Sequence, residues 1–319
     1  MICRPIWRYL MKALIIGGAG FVGSYLIDHL INDCGWSVSV TKLESEIIQH
    51  ENIMVYNLNI LDKQAIITLL QDIKPDCIFH LAAQSSVSLS WKNPELTIDV
   101  NIKGSVNLLD AVRELDYTPR ILLIGSGEEY GHILPKETPI RENNPCRPGN
   151  IYAATKTFQN MIGKIYADAY QMDIIMVRAF NHIGPKQSPT FVVADFCKQV
   201  AEIEKGLQEP VIKVGNLGAK RDFTDVRDVV KAYSLLIKKG KAGETYNVGS
   251  GEAIAIEDLL KLILSFSKME IQIEIDNSRL RPVDIPIIEA DIQKLLECTH
   301  WKREITLENT IRDTLEYWR

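Results

Sequence analysis

Two short stretches of this chain carry groups suited to chemistry on a bound coenzyme. Tyr152-Ala153-Ala154-Thr155-Lys156 sets a phenol and an ammonium four residues apart. On a helix those positions share a face, so both groups point into one site. An ammonium beside a phenol stabilises the phenolate and is expected to lower its pKa. A tyrosine tuned in this way can act as general acid or base near neutral pH. Ser126 follows the apolar run Arg120–Gly125, which reads as a strand. A hydroxyl at the carboxyl edge of an open sheet can hydrogen-bond a substrate oxygen.

The second stretch is Gly17-Gly18-Ala19-Gly20-Phe21-Val22-Gly23, which follows the strand-like Lys12–Ile16 and opens a helical pattern. Gly17 permits a tight turn, and Gly20 lets backbone N–H groups approach a pyrophosphate. Gly23 lets the helix lie close on the sheet, while the helix N-terminus favours the phosphate charge. Gly17, Gly20, Phe21, Val22 and Gly23 are therefore assigned to a dinucleotide, because the strand-before, helix-after context is met. The second strand ends in Val40-Thr41-Lys42-Leu43-Glu44. Lys42 there can pair with a ribose 2′-phosphate, which favours NADP(H). Glu44 can instead serve NAD(H), and Lys42 can equally be a solvated surface charge. Asn59-Ile60 closes a third strand and can border the adenine or simply end that strand in a turn.

Positioning these groups requires an alternation of strands and helices. Strand candidates are Lys12–Ile16, Trp36–Thr41, Ile53–Asn57, Cys77–Leu81, Arg120–Gly125 and Asp173–Arg178. Helical patterns fall at Phe21–Ile31, Lys63–Ile73, Pro94–Leu115 and Tyr152–Gln171. Continuous apolar strands between amphipathic helices predict a parallel sheet covered on both faces, the doubly wound α/β (Rossmann) fold. Beyond Asn181 the pattern loosens into helices near Phe191–Lys205, Arg227–Lys238, Ile256–Ser267 and Leu307–Trp318, with one short strand, Thr245–Val248. The expected organisation is an extension over 1–10, a dinucleotide-binding domain over 11–181, and a smaller mixed α/β lobe over 182–319. That lobe is expected to bind substrate, with some elements returning to the first domain. Met11 reads as a natural chain start, so 1–10 is expected to be a loose extension or a misplaced start.

The chain has 319 residues, 46% hydrophobic and 24% charged, with a net charge of −5. Such a composition builds a large core and excludes a disordered chain. The acidic balance argues against nucleic-acid and basic membrane-surface partners. No apolar stretch approaches the roughly 20 residues of a spanning helix. Cys3, Cys34, Cys77, Cys146, Cys197 and Cys298 lie far apart with no CxxC pair, which predicts reduced, mostly packing cysteines in a cytoplasmic protein. Cys146, in a Pro-rich loop, is expected to be exposed. His80, His132 and His182 form no metal-ligand grouping, and no metal site is expected.

The combination of Gly17–Gly23, His80-Leu81-Ala82-Ala83-Gln84, Gly125-Ser126-Gly127-Glu128-Glu129-Tyr130-Gly131, Tyr152–Lys156 and Arg178-Ala179-Phe180-Asn181 resembles the extended short-chain dehydrogenase/reductases that modify nucleotide sugars. The resemblance runs over about residues 11–319. It implies a catalytic Ser126, Tyr152 and Lys156, with Lys156 also holding the nicotinamide ribose, and Leu81, Ala82 and Ala83 lining the coenzyme's ribose and phosphates. Asn181-His182-Ile183-Gly184-Pro185 and Arg221-Asp222-Phe223-Thr224-Asp225-Val226-Arg227-Asp228 resemble the GDP-mannose branch, which holds 4,6-dehydratases and 4-keto-6-deoxy-sugar reductases. By the same resemblance Glu128, Asn181, Lys198, Arg221 and Arg281 contact a GDP-sugar. Arginine forks suit a diphosphate, although surface ion pairing is the alternative for Lys198, Arg221 and Arg281.

Both branch activities need the Ser/Tyr/Lys set and a nicotinamide. A dehydratase also needs a base for the sugar C5 proton, the place Glu128 occupies, and a proton donor for the departing C6 oxygen. Gly127 stands where some relatives carry such a donor, which favours the reductase. The expected reaction is reduction of the C4 ketone of GDP-4-keto-6-deoxy-D-mannose to a GDP-6-deoxyhexose, GDP-D-rhamnose. In it Tyr152 protonates the C4 oxygen, Lys156 stabilises the phenolate and Ser126 orients the oxygen. The 4,6-dehydratase, another nucleotide-sugar reductase or epimerase, and a non-catalytic dinucleotide sensor stand as alternatives. Apolar residues on more than one face of Pro94–Leu115 (Val100, Val106, Leu109, Val112, Leu115) and of Tyr152–Gln171 (Met161, Ile165, Ala169) point to a homodimer through a four-helix bundle.

Overall fold

Alternation inside the first strand sets the layers of the molecule. In Lys12–Ile16, Ala13 and Ile15 join one core cluster and Leu14 and Ile16 the other, all four buried. A strand buried on both faces needs helices on both sides. A computed structural model describes residues 10–279 and 286–319. Its strands are β1 Lys12–Ile16, β2 Ser37–Lys42, β3 Met54–Asn57, β4 Cys77–His80, β5 Arg120–Ser126, β6 Ile174–Ala179, β7 Asn181–Ile183, β8 Val211–Val214, β9 Lys220–Asp225, β10 Thr245–Val248, β11 Ala253–Ala255, β12 Gln272–Ile275 and β13 Ile287–Ile288.

Seven strands form one parallel sheet in the order β10-β6-β5-β4-β1-β2-β3. This is the doubly wound architecture expected from the alternating pattern. Strand order reverses between β1 and β4, so the loops after these two strands flank a crevice at the carboxyl edge. Helices Lys63–Ile73, Gly104–Arg113 and Ile151–Tyr170 cover one face through Leu70, Leu108, Leu109, Val112 and Ala167. Helices Phe21–Asp28, Val226–Lys239 and Gln293–Thr299 cover the other through Leu26, Ile27, Val229, Tyr233 and Leu295. Val226–Lys239, β10 and Gln293–Thr299 come from the second half of the chain, so that half contributes to both bodies.

The smaller lobe has a core of its own. Helices Val192–Glu204, Ile256–Ser265 and Leu307–Trp318 enclose Phe196, Val200, Leu259, Leu260, Ile311 and Leu315. Its strands are short: β9 pairs with β7, β11 and β13, and β8 with β12. Of the lobe's strands only β10 is foreseen in the sequence, because β9 reads Lys-Arg-Asp-Phe-Thr-Asp and the others are two to four residues long. The expected continuous helix Pro94–Leu115 is Pro94–Ile98 followed by a wide turn, Asp99–Lys103, and then Gly104–Arg113. No helix among the described residues is long and apolar enough to cross a membrane. The five described cysteines are free; Cys146 is half-buried against the cluster of Tyr130 and Ile140.

The long helix Ile151–Tyr170 lies close on the sheet because Gly163 faces it. A Cβ there would sit 2.6 Å from Leu123 Cδ1 and 3.3 Å from Met176 Cγ. Gly163→Val is therefore expected to overpack this contact and destabilise the protein by about 1–3 kcal/mol. The denaturant midpoint should fall at unchanged m, and an unshifted midpoint would show that the helix has room to move.

Candidate active site

The helix that carries Tyr152 and Lys156 is pinned at both its start and its buried face. Asn150 precedes it, and its Oδ1 accepts from Ala153 N at 2.8 Å, capping the first turn. The same side chain donates from Nδ2 to Glu128 Oε2 at 3.3 Å. That ties the cap to the turn that follows β5. In this turn Ser126 Oγ accepts from Glu128 N at 3.2 Å, and Ser126 N donates to Glu129 Oε1 at 2.8 Å. The Ser126 side chain faces the Tyr152 hydroxyl and favours its ionised form. Both residues are buried, at 9% and 8% exposure.

Lys156 is 3% exposed. Its Nζ donates to Ile124 O at 2.8 Å and to Gln159 Oε1 at 3.1 Å. Burial brings its pKa down to about 8, with Glu129 acting the other way. Burial pushes the Tyr152 phenol well above its ordinary value, with Ser126 opposing. The expected lowering of the phenol by Lys156 is thus corrected. An enclosed phenolate loses its hydration, and that effect outweighs its neighbours. A phenol so placed keeps its proton throughout the neutral range, the form a proton donor needs.

A buried polar chain that motif reading passed over supports this pair. His80 Nε2 lies 3.0 Å from Ser105 Oγ, which donates to Asn101 O at 2.7 Å. Asn101 Nδ2 donates to Thr155 Oγ1 at 2.9 Å and to Gln84 O at 3.1 Å. Gln159 Nε2 and Lys156 Nζ share the Ile124 carbonyl. Burial drives His80 down to about 3, so it stays neutral. The available signal was periodic: Asn101 and Ser105, and Thr155 and Gln159, are i, i+4 polar pairs on helix faces that turn inward.

The glycine loop is built for close approach. Gly17 has φ +84°, and a Cβ on it would meet Ala82 Cα at 2.6 Å. Leu81 N and Ala82 N donate to Ile16 O at 2.9 and 2.8 Å, which lays the Leu81-Ala82-Ala83 turn against the loop. Around Gly20 the nearest atom to a Cβ is Gly17 O at 4.0 Å, so the space above it is open. Gly20 starts the helix Phe21–Asp28 and leaves its first N–H groups free for an anion. Phe21 stacks on His182, with ring centroids 6.1 Å apart. These features fit a dinucleotide pyrophosphate, and Gly18, absent from the expected set, proves as constrained as Gly17, since a Cβ there would meet Val40 Cγ1 at 2.1 Å.

Lys42 ends β2 opposite Asn57, at the position where a carboxylate would read a ribose. Its Nζ donates to its own loop, at Leu43 O, 3.1 Å. Asn59 Oδ1 caps the strand end by accepting from Leu61 N at 3.0 Å, while the Ile60 side chain packs in the core against Gly104.

The substrate candidates are dispersed. Glu128 stands in the Ser126 turn, bound to Asn150. Asn181 is exposed in β7, whose neighbour β9 carries Arg221. Arg221 Nη1 donates to Lys220 O at 2.8 Å. Lys198 pairs with Glu202 at 3.6 Å and lies 5.7 Å over the Trp318 ring, contacts within the lobe's own helices. Arg281 lies outside the described residues. Sequence reasoning also passed over Glu129, which is fully buried and binds Arg178 Nε at 2.9 Å, Asn160 Nδ2 and Ser126 N. No group of three or more His, Cys, Asp or Glu among the described residues is arranged to hold a metal ion.

Fold and site together define an extended short-chain dehydrogenase/reductase, a nicotinamide dinucleotide-dependent enzyme that acts on nucleotide sugars. Residues 14–314 match the GDP-mannose 4,6 dehydratase family, and the chain belongs to it. It is 34% identical to the GDP-6-deoxy-D-mannose reductase of Pseudomonas aeruginosa over 244 residues, 76% of this chain and 80% of that one. It is 27% identical to the GDP-mannose 4,6-dehydratase of Yersinia enterocolitica over 94% of this chain and 91% of that one. The structure of RMD from Pseudomonas aeruginosa complexed with NADPH superposes with a TM-score of 0.85 at 29% identity, covering 97% of this chain and 98% of that one.

The lowered Lys156 pKa sets a pH dependence. As pH rises through about 8, Lys156 loses the charge that would stabilise a phenolate at Tyr152. Turnover in the reductive direction should fall on that limb, while Tyr152 stays protonated. Lys156→Arg, which keeps its charge, should abolish the limb whatever its residual rate. A flat profile from pH 7 to 9 in the unaltered enzyme would remove Lys156's charge from the chemistry.

Proposed function

We propose that this enzyme reduces the C4 ketone of GDP-4-keto-6-deoxy-D-mannose to a GDP-6-deoxyhexose, GDP-D-rhamnose, with NADPH as the preferred reductant. One observation carries the choice of reduction over elimination. Position 127 is glycine, and a Cβ there would already lie 3.2 Å from the Phe180 ring. No side chain stands between Ser126 and Glu128 to protonate a departing C6 oxygen, a step that elimination requires. Glu128, held by Asn150, keeps the 4,6-dehydratase as a second reading, as do the match to the GDP-mannose 4,6 dehydratase family and the 27% identity to a dehydratase. The 34% identity to a GDP-6-deoxy-D-mannose reductase supports the first.

When bound, the nicotinamide dinucleotide supplies a hydride to the sugar C4. The rest of the work falls to the chain. The Tyr152 hydroxyl gives its proton to the C4 oxygen as negative charge develops there. Lys156 stabilises the resulting phenolate from the buried side. The Ser126 hydroxyl donates to the same oxygen and fixes its position. The glycine loop and the Leu81–Ala83 turn hold the pyrophosphate and ribose. Lys42, at the end of β2, supports NADPH over NADH because it is cationic where a 2′-hydroxyl reader would be acidic. Glu128, Asn181 and Arg221 are assigned to the sugar and diphosphate. Lys198, engaged with Glu202 and Trp318, has the weakest support.

Residues 11–181 form the dinucleotide-binding part in this reading and 182–319 mainly the nucleotide-sugar lobe. Free cysteines accord with a cytoplasmic enzyme. A homodimer is supported by exposed Trp91, Leu96, Phe158, Met161 and Ile165, on neighbouring helices Val87–Lys92, Pro94–Ile98 and Ile151–Tyr170. The helix Gly104–Arg113 instead buries Leu109 and Val112 within the subunit.

Following NADPH absorbance with the purified 4-keto sugar tests the activity. A reductase consumes one NADPH per product, faster than NADH. Tyr152→Phe should lower turnover by about 10²–10⁴-fold with dinucleotide affinity preserved. Conversion of GDP-mannose without net loss of reduced coenzyme would establish the dehydratase instead.

A further inference from the structure

At the far end of helix Phe21–Asp28, away from the glycine loop, the chain makes one wide turn, His29–Asp33. Cys34 N bonds back to His29 O at 3.1 Å, a step of five residues. The wider winding brings residue 34 onto the side that residues 29 and 33 share, where a regular helix would turn it away. His29 Nδ1 lies 2.7 Å from Asp33 Oδ2, its Nε2 lies 2.8 Å from Ser234 Oγ, and Cys34 Sγ lies 3.6 Å from the same Nε2. This is a thiol, a ring nitrogen and an orienting carboxylate in hydrogen-bonded order, the relation that activates a nucleophile.

Asp33 Oδ2 lies where it orients the ring through Nδ1, and Nε2 faces both Ser234 Oγ and Cys34 Sγ. A proton passed from the thiol to Nε2 leaves an imidazolium beside a thiolate, an ion pair that the Asp33 carboxylate supports. The charged groups facing this cluster are of both signs, and Lys238 is the one that favours the thiolate. Lys238 and Lys231 come from helix Val226–Lys239, and Glu304, bound to Lys231, from the loop beyond it. Asp28, next in line, is held by His50 at 3.4 Å. Burial works to raise the Cys34 thiol, but His29 and Lys238 bring it below its ordinary value. Burial works to lower His29, but Cys34 and Asp33 bring it above its own. Cys77 and Cys197 are buried and raised instead.

We propose that Cys34 is a reactive thiolate, a covalent modification site for soft electrophiles and hydroperoxides, separate from the dinucleotide cleft and independent of the reduction proposed above. With a hydroperoxide, the thiolate sulfur attacks one peroxide oxygen and the O–O bond breaks. Sulfur is oxidised by two electrons to a sulfenic acid, and the leaving alkoxide or hydroxide takes its proton from His29. Cys34 is half-buried, not enclosed like Cys77 and Cys197, so small reagents can reach it.

The test is site-resolved alkylation of the full-length native protein with iodoacetamide at pH 7, read by peptide mass spectrometry. Each cysteine is normalised to its rate in the guanidinium-unfolded chain. Cys34 should react several-fold faster than the half-buried Cys146 and Cys298, because the imidazole beside it favours the thiolate that attacks the reagent. His29→Gln should remove most of that advantage. Asp33→Asn, which alters an exposed carboxylate, should reduce it without threatening the fold. Both variants should keep NADPH-dependent turnover, which reports that they are folded. Hydrogen peroxide with dimedone should label Cys34 first. Equal reactivity of Cys34 and Cys298, an unchanged Cys34 rate in a folded Asp33→Asn protein, or dimedone label elsewhere but not at Cys34 would overturn the proposal.

Discussion

The buried ammonium of Lys156 is the constraint around which the site is organised. A charge enclosed this far must find fixed partners or lose its proton. Its partners are the Ile124 carbonyl, in the middle of β5, and Gln159, one turn along its own helix. Those bonds fix the rotation of helix Ile151–Tyr170 against the sheet. The rotation in turn brings Tyr152 to Ser126, and Gly163 lets the helix lie near enough for both contacts to form. The polar chain from His80 through Ser105 and Gln159 extends the same fixation to β4 and the helix beside it.

The phenol and the ammonium are therefore not simply a tyrosine tuned by its neighbour. Burial drives the two groups in opposite directions, the phenol towards holding its proton and the lysine towards losing its own. This polarity suits a site that must deliver a proton to a carbonyl oxygen and then host the anion left behind. Above it, the first N–H groups of helix Phe21–Asp28 face the open space over Gly20 and suit a diphosphate, while the loop and the Ala82 turn are braced by their own bonds to Thr41 and Ile16. Glu129 closes the arrangement from below. Its carboxylate holds Ser126 N and is neutralised by Arg178, so the serine sits on a rigid base.

The centre of the large sheet was legible because β1, β4, β5 and β6 are buried on both faces, and such strands are read as apolar runs. Lys63–Ile73 matched residue for residue, since an Asp cap and a clear apolar stripe mark its ends. The lobe was harder: β9 is charged and paired on three sides by fragments of two or three residues, so its pairing lies in tertiary contacts and leaves no periodic trace. Within the proposed site, Tyr152 and Lys156 were visible because their spacing follows from helix geometry, and Ser126 because it ends an apolar strand. The direction of the Tyr152 shift was not, because burial depends on what the rest of the chain places around the phenol. Asn101, Ser105 and Gln159 were missed for a related reason. A polar residue on a helix declares nothing about its role until the helix face it occupies is known to turn inward.

The central claim is that reducing equivalents enter the sugar at C4, where Tyr152 protonates the oxygen. It is tested most directly by running the reaction with NADPH deuterated at both nicotinamide C4 positions and locating the label in the product by NMR. The account expects one deuterium per product molecule, at the sugar C4. Deuterium at C6, or a product without label, would contradict it.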